Sequence, residues 1–300
     1  MASPSDWLSA FRLRTLPLAV SSVLVGSGLA LFQGTHRTAI TLLALITAIL
    51  LQVLSNLAND LGDHLHGTDN KDRVGPQRAV QSGAIPPMAM KRAMYICGSL
   101  AFASGLALIL IALGFRPSTL LFLALGLLAI GAAVRYTFGS KPYGYAGLGD
   151  LSVFLFFGIV GVMGTQFLHT GSLRWAHLLP AAGLGLLSTG VLNLNNMRDI
   201  RNDKDSGKIT VAVRIGPENA KAYHGALIIG GLCCLVLFTA LHFRGMPQWG
   251  FLVTTSALAS HLRVVLRTFD PAALDPELKR LALATFATAL AFTAGIWMVS

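Results

Sequence analysis

Charge is the scarcest property of this 300-residue chain. Only 12% of its residues are charged, against about 25% in soluble domains. With 54% hydrophobic residues and a mean hydropathy of +0.64, that scarcity excludes a soluble fold, which cannot hide so much apolar surface. Cysteine is scarcer still. Cys97, Cys233 and Cys234 all lie in apolar stretches, two of them adjacent, which leaves neither a disulfide framework nor a CxxC metal site. No Walker A loop, GxSxG elbow or HExxH pair is present. Met1 to Arg14 lacks an apolar h-region with a small-residue cleavage site. The first apolar run is therefore expected to be a retained helix that doubles as the insertion signal.

What the chain does have is a series of apolar runs, each near the 20 residues that a hydrocarbon core of about 30 Å requires. Nine are expected to span: 16–33, 39–58, 92–114, 118–136, 147–168, 174–196, 220–242, 247–267 and 280–299. The predicted fold is an all-α membrane protein of nine transmembrane helices, one domain over 1–300 with no linker. Of the 23 Lys and Arg residues, 19 fall before the first helix and in every second connection; only Arg37, Arg116, Arg174 and Arg244 lie opposite. By the positive-inside rule the N-terminus and the connections after helices 2, 4, 6 and 8 face the cytoplasm. The formal charge of +10 is thus mostly a topology signal rather than a nucleic-acid one.

Two expected cytoplasmic loops, 59–91 and 195–219, are long and polar, and they begin alike. Leu54-Ser-Asn-Leu-Ala-Asn-Asp60 echoes Leu192-Asn-Leu-Asn-Asn-Met-Arg-Asp199, a hint of an old duplication. In the first, Asn59 and Asp63 are four apart and share a face of a continued helix. Gly67 is a natural stop, after which Asp69 can fold back. In the second, Asn195, Asp199 and Asp203 form one stripe at i, i+4 and i+8. Solvated helix ends also carry Asn and Asp, but have no reason to repeat the four-residue spacing. Hard oxygen donors at two helix ends suit Mg²⁺, which keeps waters and bridges carboxylates to phosphate oxygens. The interleaved Lys71, Arg73, Arg78, Arg198, Arg201 and Lys208 would balance a diphosphate, although the topology rule alone accounts equally well for any single one of them. His64 and His66 point to different helical faces and are expected at the surface.

The segments Asn59-Asp60-x-x-Asp63 and Asp199-x-x-x-Asp203, with nine helices, resemble the UbiA superfamily of intramembrane aromatic prenyltransferases, over nearly the whole chain. That resemblance implies a nine-helix bundle around a lipid-open cavity, capped by cytoplasmic loops, in which Mg²⁺ and a polyprenyl diphosphate meet an aromatic acceptor. Three stretches, 75–83, 136–150 and 207–216, are similar to the naphthoate-prenylating branch. The expected acceptor is therefore 1,4-dihydroxy-2-naphthoate, alkylated with loss of CO₂ on the way to menaquinone in a bacterial inner membrane. Many members carry a third Asp where this chain has Gly67; Asp69 stands in, leaving Asp60 or Asp69 as the third ligand.

On this reading Asn59, Asp63 and Asp69 hold one Mg²⁺ and Asn195, Asp199 and Asp203 a second. Asp60, Asp63, Asp199 and Asp203 are the catalytic carboxylates. Lys71, Arg73, Arg78, Lys141, Arg198 and Arg201 grip the diphosphate, and Tyr136 and Tyr143 wall the allylic cation unless they are interfacial belt tyrosines. No strong general base stands out; Asp60 or Asp72 is available to a phenol proton. The alternatives are another phenolic acid such as 4-hydroxybenzoate, or a secondary transporter of an anionic substrate. The transporter fits poorly, because its site would lie at mid-membrane, where this chain is nearly charge-free.

Overall fold

Backbone N–H and C=O groups in lipid must be satisfied within their own segment, and every apolar run of this chain duly folds as a helix. The structure, a computed structural model, describes residues 2–71 and 73–300, and these contain helices and turns but no strand. A short helix α1 (Pro4–Phe11) precedes α2 (Leu16–Phe32). Then come α3 (Thr38–Leu65), α4 (Pro87–Leu113), α5 (Pro117–Arg135), α6 (Gly149–Thr170) and α7 (Trp175–Arg198). After α8 (Ile200–Asp205), the chain ends with α9 (Val211–Leu241), α10 (Met246–Arg267) and α11 (Pro271–Trp297). Counting α1–α2 as one bent segment, nine helices among the described residues are long and apolar enough to cross a membrane.

Several helices run past the ends that hydropathy predicts, always toward the polar-loop side. At 28 residues, α3 is about 42 Å long, roughly 12 Å more than the hydrocarbon core needs. Asn59 and Asp63 lie on that projecting end. Similarly α4 starts at Pro87 rather than 92 and α11 at Pro271 rather than 280, with proline in the first turn where its missing N–H costs nothing. Helix α9 starts at Val211 and is broken at Gly216 (φ 80°), just before Pro217. Asp199 (φ −98°, ψ 13°) separates α7 from α8, yet the N–H of Asp199 still reaches Asn195 and that of Asp203 reaches Asp199. The stripe therefore survives the break.

Packing divides into two main groups. Leu57, Leu61, Val80, Ile85 and Met90 join α3, α4 and the connection between them to α1. Val162, Leu187, Leu194, Ile228 and Phe292 join α6, α7, α9 and α11 to α2. Small residues let these helices touch. A Cβ on Gly158 of α6 would lie 2.6 Å from the Ala181 carbonyl of α7. Along Phe154–Met163 the winding of α6 is π-helical, the kind of local irregularity that recurs at functional cavities. The first motif belongs to one packing group and the second to the other, and a cavity separates them.

Candidate active site

That cavity has a volume of about 410 Å³, within the range of small-molecule sites. Its polar end is lined by Asn56, Asn59, Asp63, Arg73, Arg78, Asn195, Asn196 and Lys208, and its apolar walls by residues of α2 to α7. Both motif helices end in the same device. Gly67 and Gly207, each four residues after a motif aspartate, adopt left-handed φ of 73° and 75°. The turn at Gly67 brings Thr68 and Asp69 back onto the Asp63 carbonyl, and the turn at Gly207 brings Lys208 back onto that of Asp203. Asn202 ties the two turns together by donating to the Thr68 carbonyl at 2.8 Å.

The carboxylates are joined by shared cations. Arg78 stands 3.6 Å from Asp63 and 3.5 Å from Asp69. Arg73 stands 3.2 Å from Asp69 and 3.9 Å from Asp199. Lys208 spans Asp63 at 3.6 Å and Asp203 at 3.7 Å, and so bridges the two motifs. Burial, with Asp63 alongside, pushes the Asp69 carboxyl up to about 7 despite Arg73. Burial likewise raises Asp203 to about 6 against the pull of Lys208. Burial alone would lower the Lys208 ammonium, yet Asp63 and Asp203 hold it above the ordinary lysine range. Both oxygens of Asp69 and one of Asp203 are buried without a hydrogen-bond partner, so the protein's own groups do not saturate these ligands.

Six of the predicted ligands, Asn59, Asp63, Asp69, Asn195, Asp199 and Asp203, thus sit at or just behind one polar wall. Asp60 does not. Its oxygens accept from the backbone N–H groups of Ala79 and Val80, at 3.2 and 3.1 Å, and anchor the connection that carries Arg78. Of the six predicted diphosphate cations, only Arg73 and Arg78 line the cavity. Lys71, Lys141 and Arg201 are exposed and away from it. Arg198 is fully buried and engaged: it forks onto both oxygens of Asp199 (2.9 and 2.6 Å), reaches Asn195 at 3.1 Å and pairs with Asp275. It orders the second motif and has no free edge for a ligand. Tyr136 and Tyr143 do line the cavity, packed edge to face at 5.5 Å. The Tyr143 hydroxyl is held by the Ala132 carbonyl and Ser152. Burial pushes both phenols above the usual range, so both stay neutral. His66 packs against Tyr145 rather than standing free, with centroids 5.0 Å apart. Asp72 lies outside the described residues.

Three residues at the site escape sequence reasoning. The Tyr145 hydroxyl donates to Asp63 Oδ1 at 2.9 Å, and Arg12 and Arg14 line the cavity from the α1–α2 elbow. Tyr145 belongs to a stretch already notable for its Lys-Pro-Tyr-Gly-Tyr pattern, and the arginines register there only as topology charges.

Comparison with known proteins identifies the family. The UbiA prenyltransferase family profile matches residues 19–290. A 1,4-dihydroxy-2-naphthoate octaprenyltransferase of Escherichia coli (strain K12) is 47% identical over 292 residues, 97% of this chain and 95% of that protein. Among solved structures, the apo form of a UbiA homolog from Aeropyrum pernix K1 matches with a TM-score of 0.70 at 17% identity, covering 96% of this chain and 98% of that one. A UbiA homolog from Archaeoglobus fulgidus, bound to DMAPP and Mg²⁺, matches at 0.58 and 15% identity over 93% and 98%. By sequence and by fold, this chain belongs to the UbiA prenyltransferase family.

Proposed function

We propose that this integral membrane enzyme transfers a polyprenyl group from a polyprenyl diphosphate to 1,4-dihydroxy-2-naphthoate, releasing diphosphate and CO₂. The observation that carries the mechanism is the convergence of two Asn/Asp helix ends on one cavity mouth, bridged by Arg73, Arg78 and Lys208. The 47% identity to a naphthoate octaprenyltransferase over nearly the whole chain favours this acceptor over 4-hydroxybenzoate.

The donor set fits Mg²⁺. All candidate ligands are hard oxygens, and several carboxylate oxygens lack partners. Among the described residues no three His, Cys, Asp or Glu side chains cluster closely enough to hold an ion alone. An ion that keeps waters and takes phosphate oxygens suits such a site better than an all-protein cage would. Asn59, Asp63 and Asp69 would hold one ion and Asn195, Asp199 and Asp203 another. Bound there, Mg²⁺ supplies electrostatic stabilisation of the departing diphosphate.

The chain's own residues do the rest. Arg73, Arg78 and Lys208 exchange carboxylate for phosphate oxygens as the donor enters and neutralise charge as its C–O bond breaks. The electron pair leaves with the diphosphate. Tyr136, Tyr143, Phe156 and Phe157 present a wall of π-faces and neutral phenols to the allylic cation and keep water away. The ring carbon that bears the carboxylate forms the new C–C bond. Its bond to the carboxyl carbon then breaks, CO₂ departs, and the electron pair restores the aromatic ring. Helix α5 has no buried residue, yet Leu125, Gly126 and Ala129 line the cavity, so one helix separates it from lipid where the prenyl tail would run.

The basic-residue asymmetry favours a cytoplasmic site, and the bacterial relative favours the inner membrane of a bacterium. Purified protein in liposomes with dihydroxynaphthoate, polyprenyl diphosphate and Mg²⁺ should release CO₂ and form the prenylated naphthoquinol. Activity that persists in EDTA, or survives Asp63→Ala together with Asp199→Ala, would overturn the metal assignment. A preference for 4-hydroxybenzoate would overturn the acceptor.

A further inference from the structure

Arg12 differs from every other cation at the cavity. It is the one non-glycine residue with a positive φ among the described residues (φ 49°, ψ 60°), a costly conformation for a long side chain. The elbow between α1 and α2 is clamped in that shape from α3. Asn56 Nδ2 donates to the Phe11 carbonyl at 2.8 Å and to Thr15 Oγ1 at 2.9 Å. Gln52 Nε2 donates to Thr15 Oγ1 and to Asn56 Oδ1, both at 3.2 Å. The guanidinium is thereby set into the cavity wall beside the first motif. Arg73, Arg78 and Lys208 each share two carboxylates. Among the described residues no carboxylate lies within ion-pair distance of Arg12 or of the exposed Arg14; the Nη2 of Arg12 is shut off from solvent with no hydrogen-bond partner, as are Nε and Nη1 of Arg78, but Arg78 has Asp63 and Asp69 beside it. A buried donor left open in this way implies a ligand that closes it.

The surroundings indicate which ligand. Asp63, Asn59, Asn56 and Gln52 recede along one face of α3, so the wall changes from charged to neutral as it enters the bundle. Thr15 is hydrogen-bonded to both Gln52 and Asn56, and Ser22, Ser188, Leu18, Ala48 and Leu51 line the same cavity. Small hydroxyl and amide groups on an apolar surface suit a fused aromatic ring bearing hydroxyls. A guanidinium at its rim presents the two-pronged fork that matches a carboxylate.

Resting on the acceptor class assigned above, we propose that Arg12 grips the carboxylate of the hydroxynaphthoate. Diphosphate and carboxylate are then read by separate cations: Arg73, Arg78 and Lys208 for the donor, Arg12 for the acceptor. The carboxylate sits on the carbon to be alkylated. Anchoring it next to Asp63 therefore brings that carbon to the diphosphate end of the donor.

The test uses full-length protein in liposomes at saturating Mg²⁺ and compares wild type, Arg12→Gln and Arg12→Lys. Two competitors against the acceptor share the ring and differ in the carboxylate: 1-hydroxy-2-naphthoate and 1-naphthol. Wild type should bind the acid more tightly. In Arg12→Gln, the KM for dihydroxynaphthoate and the Ki of the acid should rise about ten- to a hundredfold, the worth of one charge-assisted contact. The donor KM and the Ki of 1-naphthol should move less than about threefold, and Arg12→Lys should recover part of the loss. A raised donor KM would assign Arg12 to diphosphate. Equal weakening of both competitors would make it structural. No preference for the acid in wild type would overturn the proposal even if Arg12→Gln failed to fold. If wild type itself does not prenylate dihydroxynaphthoate, the acceptor assignment fails instead.

Discussion

Tyr145→Phe removes one oxygen from the hinge of the first motif and leaves the ring in place. The hydroxyl donates to Asp63 Oδ1 at 2.9 Å and meets Thr68 Oγ1 at 2.5 Å. The ring itself rests on His66 and lies 5.5 Å from Lys208 Nζ. The other partners of the Asp63 carboxylate, Arg78 and Lys208, stand farther off at 3.6 Å. The phenol is thus its one short hydrogen bond among the described residues. A hydrogen bond to a charged group contributes about 1.5–3 kcal/mol. Loss of a partner behind a metal ligand lowers metal affinity about 10–100-fold, or roughly 1.4–2.7 kcal/mol, so the two estimates agree. The half-saturating Mg²⁺ concentration should therefore rise about 10–100-fold, while kcat at saturating Mg²⁺ stays within about threefold of wild type. Initial rates over a Mg²⁺ series, with both substrates saturating, measure both quantities. An unchanged half-saturation point would refute the role of Tyr145 behind Asp63. A loss of kcat that no Mg²⁺ concentration restores would move Tyr145 from positioning the ligand to the chemistry itself.

Four further outcomes follow from the same geometry. Because a proton must leave Asp69 (about 7) and Asp203 (about 6) before either can hold a cation, apparent Mg²⁺ affinity should climb as pH rises from about 5 to 8 and flatten above. Across that rise the metal-free fold binds more protons than the unfolded chain and should lose stability, which melting in EDTA from pH 5 to 8 will show; flat curves would contradict both. Asp60→Ala should lower stability by about 2–4 kcal/mol, through two lost charge-assisted bonds partly offset by relief of burial, measured as a lower melting temperature. Arg78→Gln should cut kcat/KM for the donor about 10²–10³-fold, whereas the joint replacement of Lys71, Lys141 and Arg201 by Gln should stay within about threefold. Gly62→Ala should destabilise by about 1–3 kcal/mol, since its Cβ would lie 2.6 Å from the Thr137 carbonyl and push away the hydroxyl that Asn59 accepts from at 3.0 Å.

What the sequence made legible was whatever is local to one helix. The nine spans follow from segment length, and the shared face of Asn59 and Asp63 follows from the helical repeat; the helix does continue to Leu65. What it concealed depends on contacts between elements. Lys71, Lys141, Arg198 and Arg201 look alike in sequence, yet only tertiary structure sends three of them to solvent and fixes the fourth on Asp199 and Asp275. Tyr145 reaches Asp63 from the connection before α6, Arg12 reaches the cavity from the elbow before α2, and neither carries a periodic signal.

The third ligand of the first motif shows where the two kinds of information meet. Asp60 stands about 100° around the helix from Asn59, and its oxygens are taken by the N–H groups of Ala79 and Val80, so it cannot join Asn59 and Asp63 at the cavity. Asp69 can, because Gly67 ends the helix in a left-handed turn that returns the chain to the Asp63 carbonyl. Asp60 then serves the site from behind. By holding the N–H groups of Ala79 and Val80 it fixes the residues that follow Arg78, and Arg78 in turn spans Asp63 and Asp69. A carboxylate turned away from the cavity sets the distance between the cation and the ligands that are turned toward it. Loss of Asp60 should therefore weaken donor binding through Arg78 rather than through the metal, and an Asp60→Asn variant should raise the donor KM at unchanged Mg²⁺ half-saturation.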